Sequence, residues 1–411
     1  MTIATCEINP PSRLLMGAGP ANVHPRVLRA MGADVIGQMD PEMTAYMDET
    51  MALYREVFQT TNHWTFLING SARSAIEAAL VSLVTPGMVV VVLNIGRFGL
   101  LLREIVTRCG GIVHSVDVPW GQVVDPADVE KALRLHKPRL VAAVHGDTST
   151  TTAQPLEAIG ALCRQYEALF YVDATATLGG MPFKTDEWHI DVATAGLQKC
   201  LAGPPGSAPI TLSDRAVAAI KERRHDEGGI ASGAPQGEGP VIQSNYFDLM
   251  MLMNYWSPQR MNHHTEATSM LYAAREVARL VVEEGIDARI ERHRRAGEAM
   301  IAGIKAMGMR VYGDETTRMY NVTGVHVPEG IEARRIQELM RRDFEIEIVS
   351  SFGPLTGKIW RIGAMGINAQ KSKVLLTLAA FESVLSGEGI PINRGAGIDA
   401  ARAAWNRAGH S

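Results

Sequence analysis

The sequence predicts an α/β protein: a mostly parallel sheet of seven strands flanked by helices, followed by a smaller C-terminal α+β domain. Three observations carry that prediction. Short β-rich apolar runs alternate with helix-length amphipathic segments from about residue 65 to residue 213, the pattern of strands buried on both faces. The alternation gives way after residue 225 to a Gly-rich stretch, a long charged helical region and a second, shorter set of strands and helices. The length of 411 residues is too great for one ordinary core.

The strands are read in order. "TFLI" (65–68) comes first, followed by a Gly-Ser turn and a helix near 72–84. "MVVVVL" (88–93), "GIVHSV" (111–116), "RLVAAVH" (139–145) and "LFYVD" (169–173) follow, with helical segments between them. "DVATA" (191–195) and "APITLS" (208–213) complete the seven. Residues 225–240 are Gly-rich and read as a loop, with a closing flap as the rival reading. A helical region spans about 264–306. Strand-like 320–327, a helix near 331–342 and "KIWRIG" (358–363) come next. Val374, Leu378, Phe381 and Leu385 then share one face of a last clear helix. Residues 388–411 carry little pattern and are expected to be a loosely packed extension. The expected division is an N-terminal arm (1–20), a large domain (21–270), a small C-terminal domain (271–387) and that extension (388–411).

Composition excludes several classes. Net charge is −4 with dispersed basic residues, which argues against a nucleic-acid partner. No apolar run is long enough to span a bilayer, and the start lacks the pattern of a secretory signal. Cys6, Cys109, Cys163 and Cys200 show no CxxC spacing, so neither a disulfide framework nor a zinc ribbon is expected. A reducing compartment, the cytoplasm, is the expected location.

Ligands of open α/β sheets sit beyond the carboxyl ends of the strands, so the residues there matter most. Asp173 ends a buried strand, where a carboxylate is costly unless a cation or donor faces it. Lys199 follows the next strand and leads into a Gly-Pro-Pro-Gly turn. Gly70 and Ser71 lie between a strand and a helix, whose first amides suit an anion. Alone, each has a plainer reading as a cap or a structural or surface residue. Together, an anion cup, a buried carboxylate and an amine suggest pyridoxal phosphate.

Seven collinear pieces then carry a resemblance: "MGAGPANV" (16–23), "NGSARSAIEAAL" (69–80), "HGDTSTTTAQPL" (145–156), "VDATATLGG" (172–180), "GLQKCLAGPPG" (196–206), "RMNHHT" (260–265) and "WRIGAMG" (360–366). The chain resembles a class V aminotransferase of fold type I, in the alanine–glyoxylate aminotransferase group. The resemblance makes Lys199 the Schiff-base lysine and proton shuttle, and pairs Asp173 with the pyridine nitrogen. It implies that Ser71, Ala72, Arg73 and Gln198 serve the phosphate. Phe98 would stack on the cofactor ring, and Ser149 would lie near the ring hydroxyl. It makes Thr265 reach the phosphate of a neighbouring subunit, hence a homodimer with shared sites. Arg361 would clamp the substrate carboxylate, because a guanidinium fork fits it bidentately.

Gln38 and Asn262 stand where alanine–glyoxylate relatives tend to have His and Tyr. Two neutral amides suit an amide-like donor side group. The combination resembles the branch that uses (S)-ureidoglycine and glyoxylate, giving oxalurate and glycine in purine-ring catabolism. The rival reading is an alanine– or serine–glyoxylate aminotransferase in which both positions have drifted. Asn262 also puts in doubt the phosphate contact that Tyr supplies in relatives, and Arg73 sits where His is common. A kynureninase-like hydrolase or lyase shares the fold, but Arg361 favours transamination. A desulfurase needs a nucleophilic cysteine on a loop of the C-terminal half, and none follows Cys200. No metal site is expected, since His263 and His264 lack further residues at ligand spacing.

Overall fold

The computed structural model describes residues 7–223 and 237–407. Most of the Gly-rich stretch read as a loop or flap therefore lies outside the described residues.

The main sheet has seven strands. They are β1 (Trp64–Gly70), β2 (Val89–Asn94), β3 (Ile112–Asp117), β4 (Leu140–Val144), β5 (Leu169–Asp173), β6 (Val192–Thr194) and β7 (Gly206–Leu212). Their order across the sheet is β1-β7-β6-β5-β4-β2-β3. Strand β7 runs antiparallel to both its neighbours, and all other pairs are parallel. The other six strands therefore point one way, and their carboxyl ends converge on one edge. The expected mostly parallel sheet is what the structure contains. Val90, Val91, Val92, Val141, Ala142 and Ala143 are fully buried. Helices on both faces leave no polar side to these strands.

Helix α1 (Ala72–Leu83) follows β1, and α2 (Arg97–Arg108) follows β2. A helix at Pro41–Phe58, which the sequence reading passed over, buries Met43, Met47, Tyr54 and Phe58 against the large core. The charged helical region consists of two helices, α3 (Thr268–Glu284) and α4 (Ile286–Ala306). Gly285, at φ +82°, breaks it, a conformation open to glycine without strain.

A second core gathers residues from Ala296 to Ala401. Its antiparallel sheet of three strands has the order β8 (Val322–His326), β10 (Ile359–Gly363), β9 (Val349–Ser350). Helix α5 (Lys371–Gly387) buries Val374, Leu378, Phe381 and Leu385, the face expected from their spacing. The N-terminal segment joins this core: Leu14–Leu15 pair in parallel with Ile346–Glu347, and Met16 is fully buried within it.

The tail corrects an expectation. Residues 388–411 do not form a loose extension as far as they are described, because α6 (Ala396–Arg407) docks on α4 and α5. The contact uses small residues. A Cβ at Gly303 would lie 3.0 Å from the Gly397 carbonyl, so both glycines let the helices approach closely. Arg295 stacks its guanidinium 5.2 Å from the Trp405 ring and donates to the Trp405 carbonyl at 3.0 Å. Among the described residues, no helix is long and apolar enough to cross a membrane.

Because Ala401 is fully buried, Ala401→Asp should lower stability by about 3 kcal/mol through an unpaired buried carboxylate. Urea denaturation checks this; an unchanged midpoint would mean the helix is not docked in solution.

Candidate active site

A cleft of about 210 Å³ opens where the carboxyl ends of the parallel strands converge. Its floor is Asp173, the last residue of β5. One wall is the first turn of α1, with Ser71, Ala72 and Arg73. Phe98, in the first turn of α2, and Thr148, beyond β4, form another. Gln198 and Lys199 enter from the segment between β6 and β7. The sequence-predicted Lys199, Asp173, Ser71, Ala72, Arg73, Phe98 and Gln198 thus line one cleft.

Burial sets the chemistry. The Asp173 carboxyl is raised to about 6, first by burial and further by the nearby Asp147 carboxylate. The Thr175 amide donates to Asp173 Oδ1 at 2.9 Å and opposes that rise. The Lys199 amine is pushed down to about 8 by burial and then by the Arg361 charge. It donates to the Ala18 carbonyl. Gly19 makes room for this contact: at φ +97° it lies so close to Lys199 that a Cβ would collide with the lysine chain. The segment also anchors beside the lysine, where the Ala21 amide donates to the Gln198 carbonyl at 2.8 Å.

Arg361 comes from β10 of the second core and is 4% exposed. Its Nε donates to the Ser350 carbonyl at 2.8 Å, and Nη1 to the Thr148 carbonyl at 2.9 Å. The Phe352 ring covers one face, its centroid 4.8 Å from Cζ. Burial pulls Arg361 down to about 10, which leaves it cationic at neutral pH. The fork is therefore held from one side, and Nη2 is left for a carboxylate.

These residues fit pyridoxal phosphate. A helix leaves its first amides unpaired, and here Ala72 and Arg73 carry them at the cleft. The Ser71 hydroxyl makes no capping bond. Gly196 opens a cradle, since a Cβ there would stand 2.6 Å from Gln198 Oε1 and 2.7 Å from the Ala72 side chain. Gln198 Oε1 is buried without a hydrogen-bond partner, so nothing in the chain fixes this amide, which can turn its NH₂ group to donate to a phosphate. Asp173 offers a buried carboxylate, Phe98 an aromatic face and Lys199 an amine.

The remaining expected residues lie elsewhere. Ser149 is fully buried and does not line the cleft; its hydroxyl donates to Asp147 Oδ1 at 2.6 Å. Thr148, also buried, lines the cleft beside it. Gln38, Asn262 and Thr265 are brought together, but not at this chain's own cleft. Gln38 Nε2 donates to Asn262 Oδ1 at 2.9 Å, and the Glu266 amide donates to Gln38 Oε1 at 3.2 Å. His264 contacts Asn69, next to the Gly70 turn, at 2.6 Å and lies 2.8 Å from His263. The sequence reading missed Thr148, Ala18 and Asp147. The carboxyl-end rule pointed to the neighbourhood of Thr148 and Asp147, whereas nothing local marked Ala18.

The comparisons with known proteins agree with this geometry. The sequence profile of the family described as aminotransferase class-V matches residues 14–364. The (S)-ureidoglycine–glyoxylate transaminase of Bacillus subtilis (strain 168) is 49% identical over 407 residues, covering 98% of each chain. The alanine–glyoxylate aminotransferase of Drosophila melanogaster is 33% identical over 93% of this chain and 94% of its own. The crystal structure of ureidoglycine–glyoxylate aminotransferase from Bacillus subtilis superposes with a TM-score of 0.91 at 48% identity, covering 98% of this chain and all of that one (100%).

The reactive form of Lys199 is the neutral amine, and burial brings its titration down to about 8. Covalent uptake of pyridoxal phosphate by the cofactor-free protein should therefore rise with pH and level off above about pH 8. Stopped-flow absorbance checks this; a rate still climbing steeply toward pH 10, as for an ordinary lysine near 10.4, would contradict it.

Proposed function

The chain belongs to the class-V aminotransferase family and works with pyridoxal phosphate, and on that premise we propose that it transfers the amino group of (S)-ureidoglycine to glyoxylate, giving oxalurate and glycine in purine catabolism. The observation that carries the choice of donor is the full-length likeness to the Bacillus subtilis transaminase. The amide pair of Gln38 and Asn262 supports it, because two amides can match a ureido carbonyl and its NH₂ group.

When bound, the cofactor supplies an aldehyde that takes up the amino group and a protonated ring that stores the electron pair freed at the substrate α-carbon. Lys199 holds the aldehyde, and its freed Nζ accepts the α-proton and passes it on within the same half of the cycle. An amine titrating near 8 is well matched to that task at neutral pH. Asp173 is costly to ionise without a partner, and a pyridinium provides one. The ion pair then keeps the ring protonated. Arg361 grips the carboxylate that donor and acceptor share next to the reacting carbon, so one clamp serves both half-reactions. The first turn of α1 and Gln198 bind the phosphate.

Gln38, Asn262 and Thr265 act in the cleft of a second copy of the chain. Their absence from the lining of their own cleft supports this, as does the exposed apolar surface beside Gln38, where Val35 and Met39 are 71% and 53% exposed. The working enzyme is then a homodimer with shared sites. The free thiols of Cys109, Cys163 and Cys200 support a reducing, cytoplasmic setting.

Incubating the enzyme with glyoxylate and either freshly generated ureidoglycine, alanine or serine, and following products by NMR, tests the donor. Ureidoglycine should be the preferred donor; equal turnover of alanine would end the assignment. Combining Gln38→His with Asn262→Tyr should shift the ureidoglycine-to-alanine ratio of kcat/KM toward alanine by at least about tenfold.

A further inference from the structure

Asp147 is fully buried, and apart from its charge, which raises the Asp173 carboxyl, it has no part in the chemistry above. All its hydrogen bonds go to two neighbouring turns. Oδ1 accepts from the Ser149 amide at 2.9 Å and the Ser149 hydroxyl at 2.6 Å, and Oδ2 accepts from the Phe98 amide at 2.8 Å. The Arg97 amide donates to Ser149 Oγ at 3.0 Å. Arg97 and Phe98 open α2, whose N-cap residue, Gly96, has no side chain to offer. The helix is therefore capped from a neighbouring strand end, by a carboxylate and a hydroxyl. Gly96 makes this feasible: a Cβ there would stand 2.7 Å from the Asp147 carboxyl and 2.8 Å from Ser149 Oγ.

A serine or asparagine at the N-cap would close the helix more cheaply, since burying a carboxylate carries a heavy desolvation cost. The arrangement gains something a local cap cannot give. Phe98, held by its amide, presents its ring to the cleft. Thr148, held between Asp147 and Ser149, lines the cleft and receives Nη1 of Arg361 at 2.9 Å on its carbonyl. One carboxylate thus sets the aromatic wall and the anchor of the substrate clamp together.

We propose that Asp147 is a positioning residue that fixes Phe98 against the cofactor ring and Thr148 under Arg361, so that ring and carboxylate clamp keep one relative geometry. This rests on the reading of the cleft as the cofactor site.

Asp147→Asn is the test. Asparagine keeps the shape and an oxygen for Ser149 but turns an N–H group toward the Phe98 amide. Three quantities are measured: melting of the cofactor-free protein, the dissociation constant for pyridoxal phosphate, and the visible circular dichroism of the bound cofactor, which reports how its ring is held. The cofactor-free variant should melt within a few degrees of wild type. Its dissociation constant should rise about tenfold, with a weakened dichroic band, because a charge-assisted hydrogen bond is lost. Wild-type affinity together with a wild-type band would overturn the proposal. If Asp147→Asn fails to fold, Ser149→Ala removes one bond to the carboxylate and should give the same changes at smaller size; no change there overturns it equally. Borohydride reduction and peptide mapping separate the two levels. Attachment away from Lys199 in the wild-type protein removes the site itself, whereas attachment at Lys199 with unchanged affinity in the variant removes only the role of Asp147.

Discussion

A carboxylate is held where water scarcely reaches it, at the end of β5, and its charge has to be met by something brought in from outside the chain. The acidity of Asp173 reflects that demand: without a partner, burial leaves it titrating near 6. Lys199 offsets only part of that cost, because burial and Arg361 make it easier to deprotonate than an ordinary lysine. An acid that is easier to ionise beside a cation and an amine that gives up its proton more readily than an ordinary lysine are complementary requirements of one cofactor. Sheet direction enforces the meeting. With six strands pointing one way, their carboxyl ends open at a common edge, and the antiparallel β7 lets the chain turn back just after Lys199.

The second core contributes by reaching across. Arg361 leaves β10 and hydrogen-bonds to Ser350 on its own side and Thr148 on the other. The Ser351 hydroxyl adds a bond to the Ser149 carbonyl at 2.5 Å. Arg361 therefore also ties the two cores together, and its geometry depends on both. Arg289 makes a similar tie at the back of the site, from α4 to the Cys200 carbonyl at 2.7 Å and to Glu284. The lysine-bearing segment is thus held from behind as well as in front.

The sheet was legible because its central strands are runs of Val, Leu and Ala that only a doubly covered sheet can bury. Asp173 and Lys199 were legible because a charge at the end of such a run is expensive without a purpose. Other features were not. Asp147 sits in "HGDTST", where a polar residue after a strand reads as an ordinary turn, and its partner Phe98 is distant in sequence. The C-terminal helix buries Gly397, Ala401 and Ala404; small residues leave no apolar periodicity to read. Gln38 and Asn262 were singled out by kind, but their mutual hydrogen bond joins distant parts of the chain and is a product of the tertiary fold alone.

The contact between Lys199 and the Ala18 carbonyl joins the buried amine to the early part of the chain. Residues 14–16 are themselves zipped to the second core by their pairing with Ile346–Glu347. Proteolytic trimming or an amino-terminal fusion that peeled this stretch away would hydrate the amine while every strand of the main sheet stayed intact. Purification handles on this enzyme are therefore better carried beyond Arg407 than ahead of Leu14, and a preparation clipped near its beginning would look well folded yet take up its vitamin abnormally.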